Sequence, residues 1–392
     1  MAAEVGLNQK WFSSGLTNQA MRYFAAHDWW TGDDNSVDAM PQQESDQFRR
    51  ERSMALNQRR NGSPPFGVFG KLKVRLDPWQ PEFGPEFGGI EEQSPESPES
   101  LDIELERSAQ LWSGIDPGGR AGPREPVWFI DGVRRMEARV TAKFNDQYFY
   151  GAFGAFAVGS VQLNSEQALF ERFLTGRMLA LSSPEQPTGE IAVARGLIYL
   201  PIRVADTEPD APIRAIHGEM RRAEEALARE LAAHEGRLVV VDGPLTFEER
   251  MRGSAVGYIK RVIKTYLPPP QLALLAALKP GQRTPLFALR GSRRFARISW
   301  FLRLSEPRKG DSEFSGIVRL EVAEAVGVEG ARSLADACGA LLPELKARRA
   351  LDQRAPQNLL PISALERFLR RKLGDERIIR RRLESFLVRE AD

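Results

Sequence analysis

Three features of this 392-residue chain predict a mixed α/β fold. Short apolar runs suit buried strands, one long amphipathic helix lies between two of them, and more helices crowd the C-terminal third. Residues 1–65 are polar, with Asp33-Asp34-Asn35-Ser36 and an Arg/Gln/Asn-rich stretch ending in Asn61-Gly62-Ser63-Pro64-Pro65. The aromatics Phe24, Trp29 and Trp30 keep no period there, so the segment reads as a poorly ordered, irregular N-terminal extension. Residues 66–124 combine an extended run, Val68 to Leu76, with the acidic Pro/Ser-rich linker Gln93 to Ser100. The texture then changes, and residues 125–392 read as one domain.

Within that domain, Val127-Trp128-Phe129-Ile130 is a continuous apolar run ending in Asp131-Gly132, as expected of a strand buried on both faces. Ala138 to Phe144 and Phe149 to Leu163 follow as strands around the turn Asn145-Asp146-Gln147, and Ile191 to Val204 adds a strand or a strand pair. From Pro212 to His234, the residues Ile213, Ile216, Met220, Ala223, Leu227 and Leu231 keep one apolar face, which predicts a helix. Leu238-Val239-Val240-Val241 is a second buried run, again followed by Asp-Gly. Later strands are expected at Ile298 to Leu304 and Gly316 to Val322. Helices are expected at Val328 to Ala350, Ser363 to Arg371 and Asp375 to Val388. A strand hairpin therefore leads into a βαβ-like unit.

Composition excludes several classes. The single cysteine, Cys338, rules out a disulfide framework or a zinc ribbon, and His27, His217 and His234 have no metal-ligand spacing. No apolar run reaches the roughly 18–20 residues of a membrane span. The first thirty residues lack the basic and hydrophobic pattern of a secretory signal. A cytoplasmic location, associated with the nucleoid, is the expectation.

The net charge of +2 conceals an uneven distribution. Residues 250–309 hold 14 Lys/Arg against the single acid Glu306, whereas residues 1–110 hold 11 basic and 18 acidic residues. Such a division points to a polyanion, nucleic acid in particular, as partner; the alternative is that these cations pair with acids from elsewhere in the fold. Lys260, Lys264, Arg293, Arg294 and Arg297 are the candidate phosphate contacts. Tyr258, Tyr266 and Trp300 are either stacking or core aromatics.

The chemistry concentrates in the acids. Asp131 and Asp242 each follow a buried strand, where ligands of open α/β sheets sit, and on neighbouring strands they would repel unless a cation joined them. The pair invites Mn²⁺ or Mg²⁺. Glu224 borders the apolar helix face and points toward the sheet, with an arginine such as Arg134 or Arg135 as the alternative partner. Glu225 joins Arg221 on the wet side. Asp352 and Asn358 lie in a helix link rich in hydrogen-bonding side chains, as a further ligand or as loop braces. Acids at strand ends, an acid on a helix and a basic flank together suit two-metal phosphodiester hydrolysis.

Phe129-Ile130-Asp131-Gly132, a helix with a core-edge Glu, and then Val240-Val241-Asp242-Gly243-Pro244-Leu245 resemble the NurA nucleases in order and spacing. Gly257-Tyr258-Ile259-Lys260-Arg261, Ser299 to Leu304 and Arg354 to Leu359 are similar to a bacterial NurA-like branch. The resemblance spans roughly residues 120–390. It implies an RNase H-like mixed sheet flanked by helices, a toroidal homodimer around DNA, and Mn²⁺-dependent DNA cleavage. The implied activity is 5′→3′ exonuclease and single-strand endonuclease action in DNA-end processing and break repair, with a HerA-type hexameric ATPase as partner. Asp131 and Asp242 match the family's strand aspartates and Glu224 its helix glutamate. Two departures stand out. No histidine follows Ala355-Pro356-Gln357-Asn358, which leaves Asn358 or Asp352 as the substitute, and Val133 replaces the usual Ser. The retained aspartates favour a nuclease, and the missing histidine favours a catalytically weak DNA clamp that couples the ATPase. A phosphotransferase or ATPase is disfavoured because no Walker-type glycine-rich loop is present.

Overall fold

A computed structural model describes residues 68–77, 100–118, 126–164, 167–234, 236–245, 255–261, 266–291 and 296–390. The expected N-terminal extension, most of the linker, and Lys264, Arg293 and Arg294 lie outside the described residues. The strands are β1 (Lys73–Leu76), β2 (Ser100–Asp102), β3 (Val127–Phe144), β4 (Gln147–Leu163), β5 (Ala168–Leu181), β6 (Ile191–Ala194) and β7 (Leu197–Arg203). Then come helix α1 (Ala211–Ala232), β8 (Leu238–Asp242), β9 (Ala255–Ile259), α2 (Pro269–Ala277), β10 (Phe287–Arg290), β11 (Arg297–Arg303) and β12 (Ile317–Ala323). Helices α3 (Gly327–Leu341), α4 (Leu360–Lys372) and α5 (Glu376–Arg389) complete the chain.

All twelve described strands join one mixed sheet in the order β2-β10-β11-β12-β9-β8-β3-β4-β5-β7-β6, with β1 pairing against β3. The centre is a long hairpin. β3 and β4 run antiparallel over 18 and 17 residues, and a two-residue loop closes them with Asn145 and Asp146 both at positive φ (48° and 63°). Asn and Asp tolerate this left-handed backbone, which matches the twist of the flanking strands.

Two expectations change here. β3 does not end at Asp131-Gly132 but continues to Phe144, because β4 supplies partners along its whole length. The helix expected to run from Val328 to Ala350 stops at Leu341 and tightens into a short 3₁₀ turn at Leu342–Leu345, where Pro343 lacks the donor a helix needs. Strands β2, β5, β9 and β10 and helix α2 are additions to the elements expected from the sequence, β2 beginning at the last residue of the expected linker.

Helices cover both sheet faces, as strands apolar on both sides require. On one face α1 packs Ile213, Ile216, Met220, Leu227 and Leu231 against Trp128, Ile130 and Val158. On the other, α3 and α4 pack Ala335, Leu365 and Phe368 over Phe129, Val240, Tyr258 and Trp300. Each fully buried side chain of this size contributes about 1.5–3 kcal/mol. Helix α5 closes the far end of the hairpin with Ile379, Leu383 and Phe386.

Much of the basic excess is neutralised inside the fold. Arg283 is 1% exposed; its Nη1 and Nη2 reach Glu106 at 2.8 and 3.1 Å, and its Nε reaches Asp336 at 3.0 Å. Arg290 pairs with Glu324 and Asp102. The acidic segment around β2 therefore lies against the basic one, and its acids neutralise cations that the sequence alone leaves available for a polyanion. Burial would push Glu106 up, but Arg283, the Leu286 N–H and Arg332 more than offset it and hold the carboxyl below its ordinary range.

Candidate active site

The pairing of β3 with β8 positions the acids. These strands are parallel and in register from Val127↔Leu238 to Ile130↔Val241, so Asp131 and Asp242 occupy the next position on each. Strand residues alternate in direction, so two acids at one register level share a face, here the face of Phe129 and Val240 under α4. Asp242 closes β8, while β3 runs on, and its edge on that side is next paired by β1 only from Val140. The crevice thus opens where the parallel pairing ends, although only one aspartate sits at a strand terminus. It is a cleft of about 870 Å³.

Glu224 reaches the cleft from the opposite face. It is buried on α1, as the periodicity predicts, and the absence of a side chain at Gly132 makes its approach feasible. A Cβ on Gly132 would stand 2.4 Å from Glu224 Oε1. Gly243 does the same for Arg221, whose Nη2 lies 2.8 Å from where a Cβ would be. Each Asp-Gly glycine therefore admits one α1 side chain. Arg221 is not on the wet side: its Nη1 donates to Glu224 Oε2 at 2.9 Å and to the Asp242 carbonyl at 3.0 Å. Arg221, rather than Arg134 or Arg135, is thus the hydrogen-bonded partner of Glu224. Glu225 pairs instead with Arg229.

The three acids differ in electrostatic state. Burial, with the charges of Asp242, Glu366 and Glu224, pushes Asp131 well above the ordinary range, against the opposing charges of Lys260 and Arg221. Burial also raises Glu224, against the opposing charge and hydrogen bond of Arg221. Asp242 receives Lys260 Nζ at 2.6 Å.

Lys260 therefore lines the cleft but is committed to an acid rather than free for phosphate. Arg297 is a correction: it is 4% exposed, and its guanidinium donates to the carbonyls of Ala296 and Leu245, bracing the chain after Asp242. Tyr258 and Trp300 are fully buried core residues, and Tyr266 lies under Arg319. The cations that do line the cleft are Arg134, Arg221, Lys260, Arg261, Arg354 and Arg370.

Asp352 and Asn358 are brought together, but not into the cleft. Asn358 Nδ2 donates to Asp352 Oδ2 at 2.6 Å and to Ser363 Oγ at 2.8 Å, and Ser363 Oγ donates to the same carboxylate oxygen at 2.7 Å. Burial would raise Asp352, but Ser363, Asn358 and Arg354 as donors hold it far below the carboxylate range. Their visible role is to tie the loop to the start of α4. That helix then delivers a residue the sequence reading missed. Glu366 lines the cleft, held by Arg354 and Arg370, close enough for its charge to act on Asp131. Its position three residues after Ser363 carries no local signal.

His217 is a second residue that the sequence reading missed. It lies one helical turn before Met220 and Arg221 on the cleft side of α1, with Nδ1 2.9 Å from Arg134 Nη1. An arginine only donates, so Nδ1 is the acceptor and the ring is neutral. Burial, then the charges of Arg134 and Arg221, push the imidazole down to about 4. Its unfolded value is near 6.5, so between these limits the unfolded chain takes up a proton that the native state refuses. Stability present above pH 6.5 is lost as pH falls toward 4. His217→Gln keeps an acceptor for Arg134 and should remove this component. Melting curves of the two proteins should converge above pH 6.5, with wild type falling relative to the variant below it. Parallel curves down to pH 4 would refute the assignment.

A divalent cation is implied by these acids, and their donor type fits one. Among the described residues no three His, Cys, Asp or Glu side chains stand close enough to enclose an ion. Mg²⁺ and Mn²⁺ do not need such an enclosure: one or two carboxylates with substrate phosphates suffice. Asp131 and Asp242 supply two hard oxygen ligands in register, and the raised Asp131 carboxyl favours a cation beside it.

The NurA domain family model matches residues 127–370, from the first residue of β3 to near the end of α4. No curated protein matches the chain. Among solved structures, that of the NurA nuclease from Sulfolobus solfataricus is similar at 13% identity, covering 67% of this chain and 85% of that one with a TM-score of 0.36.

Proposed function

The chain belongs to the NurA family, and we propose that it is a divalent-cation-dependent deoxyribonuclease, using Mn²⁺ or Mg²⁺, whose cleft hydrolyses the DNA backbone. The observation that carries this reading is the in-register pair Asp131 and Asp242 at the floor of a cation-lined cleft. A binding surface alone needs no buried acids, which are costly unless a ligand uses them. An RNase H-like core is supported by β5-β4-β3-β8-β9, in which an antiparallel three-strand meander leads through α1 to two parallel strands.

A cation held by Asp131 and Asp242 would polarise the scissile phosphate and stabilise its developing charge. The chain's own residues do the rest. Arg261 and Arg134 flank the acids and suit neighbouring phosphates. Arg221 holds Glu224 in place against the sheet, and Lys260 fixes the Asp242 rotamer. Glu366, clamped by two arginines, adds negative charge that keeps Asp131 selective for a cation rather than for phosphate. In the proposed setting the enzyme acts as a 5′→3′ exonuclease and single-strand endonuclease in DNA-end processing. It works as a homodimer fed by a HerA-type ATPase. No described helix is long and apolar enough to cross a membrane.

The second reading is a weakly catalytic DNA clamp coupling the ATPase. It is favoured by the ion pairs that already neutralise Glu224 and Asp242. Cleavage of end-labelled single- and double-stranded DNA in Mn²⁺, Mg²⁺ or EDTA separates the two. A nuclease cuts only with a divalent cation and loses about a hundredfold or more in rate on Asp242→Asn, with binding retained. Binding without cutting, alone and with a HerA-type partner, transfers the assignment to the clamp.

A further inference from the structure

Across the cleft from α1, the loop between β11 and β12 places an exposed aromatic in the cleft wall. Phe314 is 39% exposed and lines the cavity with Ser312, Ser315 and Ile317. A single exposed apolar side chain is ordinary in itself; what sets Phe314 apart is its place in a polar, ion-rich cleft and the way it is held.

Arg303, at the end of β11, is fully buried, and its described hydrogen bonds all go to backbone carbonyls. Nη1 donates to the Ser315 carbonyl and Nη2 to the Glu313 carbonyl, each at 3.0 Å, so one guanidinium grips the residues on both sides of Phe314. Its Nε has no hydrogen-bond partner. The remaining contacts anchor it to α2 through the Leu275 and Ala276 carbonyls at 2.8 and 3.1 Å. Turn bonds, Ser315 N–H to the Ser312 carbonyl and Ile317 N–H to the Phe314 carbonyl, lock the loop further. Asp311, bound by Arg349 and by the Arg308 N–H, fixes its base.

Burying a guanidinium without a carboxylate costs more than packing an apolar side chain there. What it gains is a rigid aromatic ring presented to the cleft. The loop's own charges are mixed, with Arg308 and Lys309 against Glu306, Asp311 and Glu313, but Arg261 and Arg354 line the same cavity as the ring. A preordered aromatic beside cations is the arrangement that binds unpaired bases, since every base has a π-face and the backbone is held by charge.

We propose that Phe314 is the stacking platform for an unpaired base of the strand bound in this cleft, oriented by Arg303, so that the site selects single-stranded ends. The inference rests on the nucleic-acid reading of the cleft and adds to it a specificity-determining residue.

The test is anisotropy of a labelled single strand and of a duplex in EDTA, over a range of salt, for wild type, Phe314→Ala, Phe314→Tyr and Arg261→Glu. Stacking predicts that Phe314→Ala weakens single-strand binding roughly tenfold with an unchanged salt slope, and duplex binding less than about twofold. Phe314→Tyr retains affinity. Arg261→Glu instead flattens the slope on both ligands. A 2-aminopurine scanned along the strand is quenched by wild type and Phe314→Tyr at a position where Phe314→Ala leaves it bright. Single-strand affinity unchanged in a folded Phe314→Ala overturns the stacking proposal, while the Arg261→Glu result leaves the nucleic-acid reading standing. Absence of DNA binding by wild type overturns both.

Discussion

Asp131→Asn in metal-free buffer should raise the melting temperature by roughly 2–4 °C, the usual yield of removing one unfavourable charge, while abolishing cleavage. Asp131 is buried and faces three other acids, with Lys260 and Arg221 as the opposing cations. Its folded carboxyl is raised above its unfolded value, so the native state carries a penalty at neutral pH. That penalty fades as pH falls and both states become protonated. The neutral amide has the same shape without the charge. The gain should therefore be largest near pH 7 and vanish toward about pH 4. Adding Mn²⁺ should reverse the order, stabilising wild type and leaving the variant unmoved. A variant that melts lower in EDTA, or that is stabilised by Mn²⁺ like wild type, would show that Asp131 is not the strained acid of a cation site.

Arg283→Met should have the largest effect on stability, a loss of about 3–5 kcal/mol. The side chain is of similar length, but it deprives the half-buried Asp336 of its cation and leaves the buried Glu106 carboxylate with Arg332 alone. Glu106 also takes the Leu286 N–H and Arg332, so its loss of partner loosens the contact between the segment after β2 and the sheet edge. Because Glu106 lies below its ordinary value of 4.5 in the native state, the contribution is fully present above that pH and lost as pH falls through the depressed value. Adding Glu106→Leu to Arg283→Met should recover part of the loss. Urea midpoints at fixed slope provide the measurement, and a loss below about 1 kcal/mol would mean that water screens the pair.

What the sequence disclosed follows from how far each interaction reaches. Buried-strand signals are local: the run Leu238 to Val241 is apolar on both faces because both faces are covered, so β8 and its terminal Asp242 were readable. Glu224 was readable because helical periodicity alone turns it inward. β5 was not, since Glu171, Arg172 and Arg177 interrupt its apolar pattern. Arg177 is there to cap α4 through the Leu373 carbonyl, nearly two hundred residues away. Glu366 and His217 look like ordinary helix-surface residues until the sheet brings them to Asp131 and Arg134. The basic excess misleads for the same reason. Arg283 and Arg297 became internal through Glu106 and Leu245, far outside any local window, and Arg303 through backbone carbonyls, which no residue type announces.

Gly132 and Gly243 set the tolerance of the whole arrangement. Each leaves room for one side chain of the same helix, and those two side chains bond each other. Positions 132, 221, 224 and 243 consequently behave as one joint rather than four residues. A single added methyl at either glycine pushes the end of Glu224 or Arg221 from its place, and so disturbs the bond between them and the counter-charge of an acid it never touches. Drift at this site must therefore proceed by concerted replacement, and a library that varies the aspartates while holding the glycines samples far more folded proteins than the reverse.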